Sequence, residues 1–479
     1  MAKLTKCIYC GRPAGSREHT LPASLGGRRK HKGVLCKPIE GSEVKSCNEK
    51  FSPLDADLAK QLDDLNAFLG VVGDHADAPK LATAHDPSSG AAYAIDERGY
   101  PKLAAPVPVA GDDPNGTRRF MFSDEAQVRA FIEEQKAKGI EVKIVGERER
   151  GQRFFADHLE LPQWTFGGRR VLREVGRIAL NFLAESFPDV AQFGELVPFK
   201  AFVTTDDETV TGNEPVWWDL EYRGQGLPRC EYDFAHRITL VVDAVRRRAW
   251  ARVSFFESLG FVVDFGPTTR VSETKALVVD INPCAPHAAP DVDRQVRVVD
   301  PAPDLPPRPS TRTVGDFQEF VQPAMNRFLE KVAAEQWRKI AEELLPPLNE
   351  LRTLPRADRV ARLREVLSGH RQGTLNFASS VLDRFRQYLE SENLESGSDT
   401  VDLGRRVAEL VAGDPSSPSG LTPVAMAFLD EVHGRVLTGL EALLDAGPLT
   451  VEGLRTWVRG AEAERVIQEI VQSRLRPPS

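Results

Sequence analysis

The stretch "SREHTLPASLGG" (residues 16–27) decides how the N-terminus of this chain is interpreted. It places an acid directly before a histidine, Glu18-His19, and continues into a proline and a pair of glycines. The pair "CIYC" precedes it, and Cys36 and Cys47 follow it. Four cysteines grouped in the first fifty residues of a large chain, with no apolar leader segment before them, predict a metal site rather than disulfides.

The four cysteines Cys7, Cys10, Cys36 and Cys47 supply the number of thiolates that a tetrahedral structural zinc requires. The second pair is separated by ten residues, so we expect an extra loop, "KPIEGSEVKS", in this half of the site. A module of this size builds little core of its own, so zinc is expected to provide much of its folding energy. Taken alone, the cysteines also fit a zinc ribbon without catalytic activity.

Charge is distributed unevenly along the 479 residues. The net charge is −8, yet residues 1–52 carry eleven Lys and Arg against four Glu. Four of these basic residues fall within five positions: Arg28, Arg29, Lys30 and Lys32. A basic module on an acidic body favours local contact with the phosphates of a nucleic acid. A solvated charged loop is the alternative explanation.

The spacing of apolar residues predicts the main elements. Ser52-Pro53 is expected to begin a helix that runs to about Gly70. Further helices are predicted over 123–139, 169–187 and 379–394, and strands over 118–122 and 140–146. The β-branched runs "HRITLVVDAV", "RRAWARVSFF", "FVVDFG" and "TKALVVDI" predict an antiparallel sheet. His236 at the start of this sheet is interpreted as a packed histidine, and Asp219 and Asp280 as turn and solubility residues.

These elements predict a multidomain α+β protein with five segments. We expect a zinc-pinned module over residues 1–55, a helix and loop connector over 56–110, a central α+β domain over 111–298, a proline-rich linker over 299–313 and an all-helical domain over 314–479. No apolar run approaches the length that spans a bilayer, and we expect a cytoplasmic protein.

The cysteine frame, the "EHxxP" core and the cysteine-adjacent Asn48 together resemble the HNH nucleases, the ββα-metal family, over about the first 55 residues. The resemblance implies a ββα-metal fold for this module. It implies that Glu18 is the first ligand of a catalytic ion, that His19 is the general base, and that Asn48 closes the metal site. Asn48 also fits a simpler role as a cap of the helix it begins.

His31 departs from this pattern, because the family usually has an asparagine at the corresponding position, where it orients the base. The resemblance implies that His31 belongs to the catalytic group, in a role that the histidine can perform differently. One carboxylate and one amide oxygen suit Mg²⁺ or Mn²⁺. A histidine with a pKa near neutrality can accept a proton from the attacking water.

The expected function is therefore a metal-dependent endonuclease that acts on DNA, with RNA not excluded, in bacterial restriction or antiphage defence. The large body would recognise the target or regulate cleavage, and an activating ligand or partner protein fits this role. Two alternatives remain open. The module can be a non-catalytic zinc-dependent nucleic-acid-binding unit, or the chain can be an assembly protein that forms homo-oligomers through its C-terminal helices.

Overall fold

A computed structural model describes the chain. The described residues are 4–38, 41, 43–74, 76, 78–86, 90–97, 99, 101–108, 120–140, 142, 166–209, 211–219, 227–230, 232–284, 296–309, 314–368, 409–410, 422–459 and 469. The predicted helix over 379–394 and most of the predicted strand over 140–146 lie outside these residues. The chain divides into two compact units: Met1–Ala82, Ile95–Gly99 and Gln163–Ala334 form the first, and Thr83–Ala94, Tyr100–Pro162 and Glu335–Ser479 the second.

The first unit begins with a hairpin followed by a long helix. Strands β1 (Arg17–His19) and β2 (Lys30–Lys32) pair antiparallel, and a short 3₁₀ turn at Ala23–Leu25 lies between them. Helix α1 (Cys47–Leu69) follows, so the elements occur in the order strand, strand, helix. Because Gly70 adopts the left-handed conformation that glycine tolerates best, it ends α1 where the sequence predicts.

The predicted start of this helix is wrong by six residues, because a better cap, Ser46, lies upstream of Ser52. The Ser46 side chain accepts a hydrogen bond from the Glu49 amide, and the Glu49 carboxylate accepts one from the Ser46 amide. This reciprocal capping box satisfies two amides that the first helical turn would otherwise leave unpaired. Pro53 consequently lies inside the helix rather than at its first position.

The centre of the first unit is helix α3 (Gly168–Ser186) packed against a six-stranded antiparallel sheet. The sheet has the order β13-β12-β9-β10-β11-β8, which confirms the predicted antiparallel sheet. Its strands are β8 (Val216–Trp218), β9 (His236–Asp243), β10 (Arg248–Phe255), β11 (Leu259–Pro267), β12 (Lys275–Ile281) and β13 (Val296–Val299). Two shorter helices, α4 (Pro188–Ala191) and α5 (Val197–Thr204), follow α3.

One hydrophobic core joins the cysteine module to the sheet. It contains buried side chains from the hairpin region, from α1, from α3 and from the sheet, among them Leu21, Leu58, Ile178 and Phe255. Helix α3 is buried along most of its length because it lies between α1 and the sheet. The module is therefore packed into the body of the first unit.

The opposite face of the sheet is covered by the proline-rich segment. Ala302 and Leu305 pack on a small cluster that includes Val241 and Trp250. The Arg308 guanidinium stacks over the Trp217 ring, 4.5 Å from its centroid. The stretch has no helix or strand over residues 301–309, and its apolar side chains pack where the sheet would otherwise expose hydrophobic surface.

The remaining elements are short strands and long helices. Strands β3 (Ala82–His85), β4 (Ala92–Ile95) and β5 (Pro101–Leu103) form one sheet, and β6 (Val107–Pro108) pairs with β7 (Phe120–Met121). Helix α2 (Glu125–Ala137) matches its prediction, with Asp124 as N-cap. The C-terminal helices are α6 (Val314–Glu350), α7 (Arg356–Ser368), α8 (Pro423–Ala446) and α9 (Val451–Arg459).

Helix α6 takes part in both cores. Its first part belongs to the first unit, where Phe328 is buried and stacks on Phe256 with ring centroids 5.7 Å apart. Its second part contributes Leu344 and Leu348 to the core of the second unit, together with Leu440 of α8. None of the helices in the described ranges is long and apolar enough to cross a bilayer.

Candidate functional site

The four N-terminal cysteines converge as predicted. The sulfur atoms of Cys7, Cys10, Cys36 and Cys47 all lie within 4.8 Å of one another. A tetrahedral zinc with Zn–S bonds of about 2.3 Å requires sulfur atoms about 3.8 Å apart. The Cys10 and Cys36 sulfurs are 3.7 Å apart. Four converging thiols at this spacing are compatible with a structural zinc ion.

Local backbone geometry holds the thiols in place. Cys47 is the first residue of α1, and its backbone amide donates to the Cys36 sulfur at 3.2 Å. The Arg12 guanidinium donates to the Cys10 sulfur at 3.4 Å and to the Lys45 carbonyl at 2.8 Å. A hydrogen bond from the Cys47 thiol, with the backbone amides of Cys10 and Tyr9, lowers the pKa of Cys7 to about 5. Cys7 is therefore favoured as thiolate, the form that binds metal, whereas the hydrogen bond to Cys7 raises the pKa of Cys47 and burial raises the pKa of Cys36.

The register of the hairpin separates the candidate residues into two pairs. Glu18 lies opposite His31, and His19 lies opposite Lys30. Successive side chains of a strand point to opposite faces, and directly opposed residues share a face. Glu18 and His31 therefore occupy one face of the hairpin, and His19 and Lys30 the other.

His19 and Lys30 converge on Asp74, a residue that the sequence patterns do not predict as part of the site. The His19 Nε2 lies 3.0 Å from Asp74 Oδ2, and the Lys30 Nζ lies 2.6 Å from the same oxygen. Hydrogen bonds from Lys30 and then from His19 lower the pKa of Asp74 to about 2. Asp74 is therefore an ionised carboxylate at neutral pH and accepts from both side chains.

The chain brings Asp74 to the hairpin directly after α1 ends. The Asp74 amide donates to the Ala23 carbonyl at 3.1 Å. A Cβ on Gly73 would lie only 3.2 Å from that oxygen, so glycine allows the segment to approach the turn this closely. Because 55 residues separate His19 from Asp74, motif spacing carried no signal of this pair.

His31 is placed differently from His19. Only 2% of the residue is exposed, and neither ring nitrogen has a hydrogen-bond partner within the described ranges. Burial, with the nearby charges of Arg177 and Arg29, lowers the pKa of His31 to about 3. The ring is therefore neutral at ordinary pH.

Asn48 lies in the first turn of α1, next to the cysteine cluster. Ser46, not Asn48, caps the helix, so the alternative role of Asn48 as a simple cap is wrong. Within the described part of the chain, the Asn48 side-chain amide has no hydrogen-bond partner. The Asn48 amide oxygen is therefore not used to cap α1.

The basic run is partly engaged inside the protein. Arg29 pairs with Glu185 of α3 at 2.7 Å, and Lys30 pairs with Asp74. Arg28 is half-buried, and Lys32 lies on β2 opposite Arg17. The role of this run in phosphate binding stays a prediction, now with two of its cations bound to carboxylates.

The loop that follows His19 is anchored to the sheet through His236. His236 Nε2 lies 3.0 Å from the Leu25 carbonyl, and the Phe256 amide donates to His236 Nδ1 at 3.2 Å. Gly26 has φ +76°, and a Cβ there would lie 2.8 Å from the Pro283 Cα. His236 is fully buried and is a packed histidine, as predicted.

The four thiols are, among the described residues, the only close group of three or more cysteine, histidine, aspartate or glutamate ligands. Glu18, His19 and His31 therefore do not gather into a second group of this kind. No protein-family model, curated protein or solved structure matches the chain.

Proposed function

We propose that the N-terminal module is a metal-dependent HNH endonuclease that hydrolyses DNA phosphodiester bonds. The observation that carries the proposal is the His19–Asp74 pair, held on β1 of a strand-strand-helix arrangement beside four converging thiols. A histidine held by a carboxylate is suited to act as a general base. The order of elements also agrees with the ββα arrangement that the sequence resembles.

The carboxylate assigns the proton on the His19 ring. Since ionised Asp74 can only accept, Nε2 must carry the hydrogen that it shares with Asp74 Oδ2. In the neutral ring the lone pair then belongs to Nδ1. This nitrogen would accept a proton from water as the water oxygen bonds to phosphorus and the bond from phosphorus to the leaving oxygen breaks.

The remaining site residues have distinct roles in this proposal. Glu18 and Asn48 would hold Mg²⁺ or Mn²⁺ through a carboxylate and an amide oxygen, the donors that these ions prefer. When bound, such an ion would withdraw charge from the phosphate and stabilise the leaving oxygen. Arg28 and Lys32 would contact the backbone phosphates.

The body of the first unit would hold the nuclease in a fixed orientation. Leu25 bonds to His236, Arg29 to Glu185, and the Tyr9 hydroxyl to Asn181 at 3.0 Å. These contacts favour a body that regulates or directs cleavage over one that only tethers the module. We place the protein in bacterial restriction or antiphage defence, on the strength of the family resemblance alone.

Plasmid DNA and the full chain test this proposal. We expect nicking that requires added Mg²⁺ or Mn²⁺, and loss of nicking in Glu18→Gln and Asn48→Ala at unchanged zinc content. Both variants should still bind DNA. Wild-type protein that binds DNA but never cleaves it would favour the alternative, a non-catalytic zinc-dependent binding protein.

A further inference from the structure

The Asp74 carboxylate lies within hydrogen-bond distance of His19, the proposed catalytic base, and can therefore fix the orientation of the His19 ring. We propose that Asp74, which lies outside the cysteine module, is the positioning residue that orients His19 and selects its Nε2–H tautomer. This inference rests on the proposed nuclease function. It assigns to the segment after α1 a role that the family resemblance places within the hairpin.

The contact differs from an ordinary surface ion pair. The His19 and Asp74 side chains are 17% and 21% exposed, whereas Lys80 and Asp63, a nearby surface pair, are 65% and 33% exposed. Partial burial strengthens a hydrogen bond to a charged group and restricts the side chains that form it. The Asp74 carboxylate is therefore suited to hold one orientation of the His19 ring.

Asp74 is itself fixed from two directions. Its backbone amide is bonded to Ala23, and its Oδ2 accepts from Lys30 at 2.6 Å. Lys30 lies opposite His19 on β2, so the hairpin register sets the spacing of both donors to the same oxygen. A carboxylate anchored by its backbone and by a lysine aligns its histidine partner with less loss of entropy than a free carboxylate.

His31 is not in a position to perform this role. It lies opposite Glu18, on the face of the hairpin away from His19, and its ring nitrogens have no partner among the described residues. Lys30 takes the position opposite His19 and holds Asp74 there. His31 stands where the HNH nucleases have their orienting asparagine, but it lies on the face of the hairpin away from His19. The orienting contact comes from Asp74 instead.

Histidine-selective ¹⁵N NMR of the full chain tests the orientation without any need for cleavage. In wild type we expect the neutral His19 ring to be the Nε2–H tautomer, with the signal assigned by its loss in His19→Ala. Asp74→Ala should lose this preference, and Asp74→Glu should restore part of it. Asp63→Asn, which removes a carboxylate from the surface pair, should leave the His19 signal unchanged.

Plasmid cleavage by the same variants tests the catalytic consequence. Loss of an orienting carboxylate should lower kcat about 10- to 100-fold. KM should stay equal or fall, because Lys30 is released toward DNA. Asp74→Glu should recover part of kcat, and Asp63→Asn should match wild type, all at equal zinc content.

An unchanged His19 tautomer in Asp74→Ala overturns the inference, and so does an altered tautomer with an unchanged kcat. Wild-type protein that cleaves no DNA overturns the proposed nuclease and with it any catalytic role for Asp74. The NMR result then still reports whether Asp74 orients the ring, so the two failures are distinguishable.

Discussion

Two buried histidines in the first unit are held in opposite ways. His236, on the sheet, donates from Nε2 to the Leu25 carbonyl and accepts the Phe256 amide at Nδ1. His31, on the hairpin, is 2% exposed, and neither of its ring nitrogens has a partner in the described part of the chain. Both ring nitrogens of His236 are hydrogen-bonded, whereas those of His31 have no partner among the described residues.

Burial alone does not distinguish these two residues. It lowers the pKa of each to about 3, so both rings are neutral at ordinary pH. Hydrogen bonding separates them, because a buried polar group without a partner costs free energy that a paired one does not. His236 stabilises the contact between the hairpin loop and the sheet. His31 lowers the free energy of unfolding, because its buried ring nitrogens have no partner among the described residues.

Removal of the thiol cluster should produce the largest difference in stability between the hairpin that carries His31 and the sheet that carries His236. If Cys47→Ser abolishes metal binding, the hairpin that carries His31 loses its main support, because structural zinc contributes about 10–16 kcal/mol in isolated zinc-finger peptides. We expect hydrogen exchange to accelerate strongly in β1 and β2 and little in β9 and β10. Exposed Cys284→Ser is the control, and unchanged protection of the hairpin would contradict the prediction.

The substitution His236→Leu should have the next largest effect. It leaves the Leu25 carbonyl and the Phe256 amide buried without partners, at about 1–3 kcal/mol for each group. We expect the free energy of unfolding to fall by about 2–6 kcal/mol in urea denaturation. A loss below that of an average core substitution would show that the two bonds contribute little.

Acid should destabilise the unit through both histidines. Each has a folded pKa of about 3, below the unfolded value of about 6.5, so the unfolded chain binds more protons as pH falls. Each histidine should therefore remove about 2 kcal/mol of stability between about pH 7 and pH 5. In His236→Gln the free energy of unfolding should fall less with acid than in wild type, by about the 2 kcal/mol that one histidine contributes. A loss as steep as that of wild type would contradict this.

The smallest effect, and one of opposite sign, is expected for His31→Leu. A side chain without polar atoms removes two unsatisfied buried nitrogens. We expect the free energy of unfolding to stay equal or to rise by about 1–3 kcal/mol. A loss as large as that of His236→Leu would mean that His31 is bonded after all, and that the contrast between the two histidines is false.

Local patterns in the sequence predicted much of the fold. The strand runs between residues 236 and 281 form the sheet, and the helix over residues 169–187 is α3. The cysteine group was predictable because four thiols in a short stretch have few other uses. The start of α1 was missed because two caps competed, and the Ser46–Glu49 box is the stronger.

Contacts between distant residues could not be predicted in the same way. Asp74 reaches His19 from 55 residues away, and His236 reaches Leu25 from 211 residues away. Asp280 was interpreted as a turn or solubility residue, but it is buried and bonded to Arg237 at 2.6 Å. Its role depends on the register of β12 with β9, which only the fold determines.

The most direct test of the central claim is the rate at which the full chain nicks supercoiled plasmid in Mn²⁺, compared with His19→Ala. Both proteins should contain the same amount of zinc and bind the same DNA. We expect His19→Ala to be slower by about 10²- to 10⁴-fold, the usual contribution of a general base. Equal rates in the two proteins would contradict it.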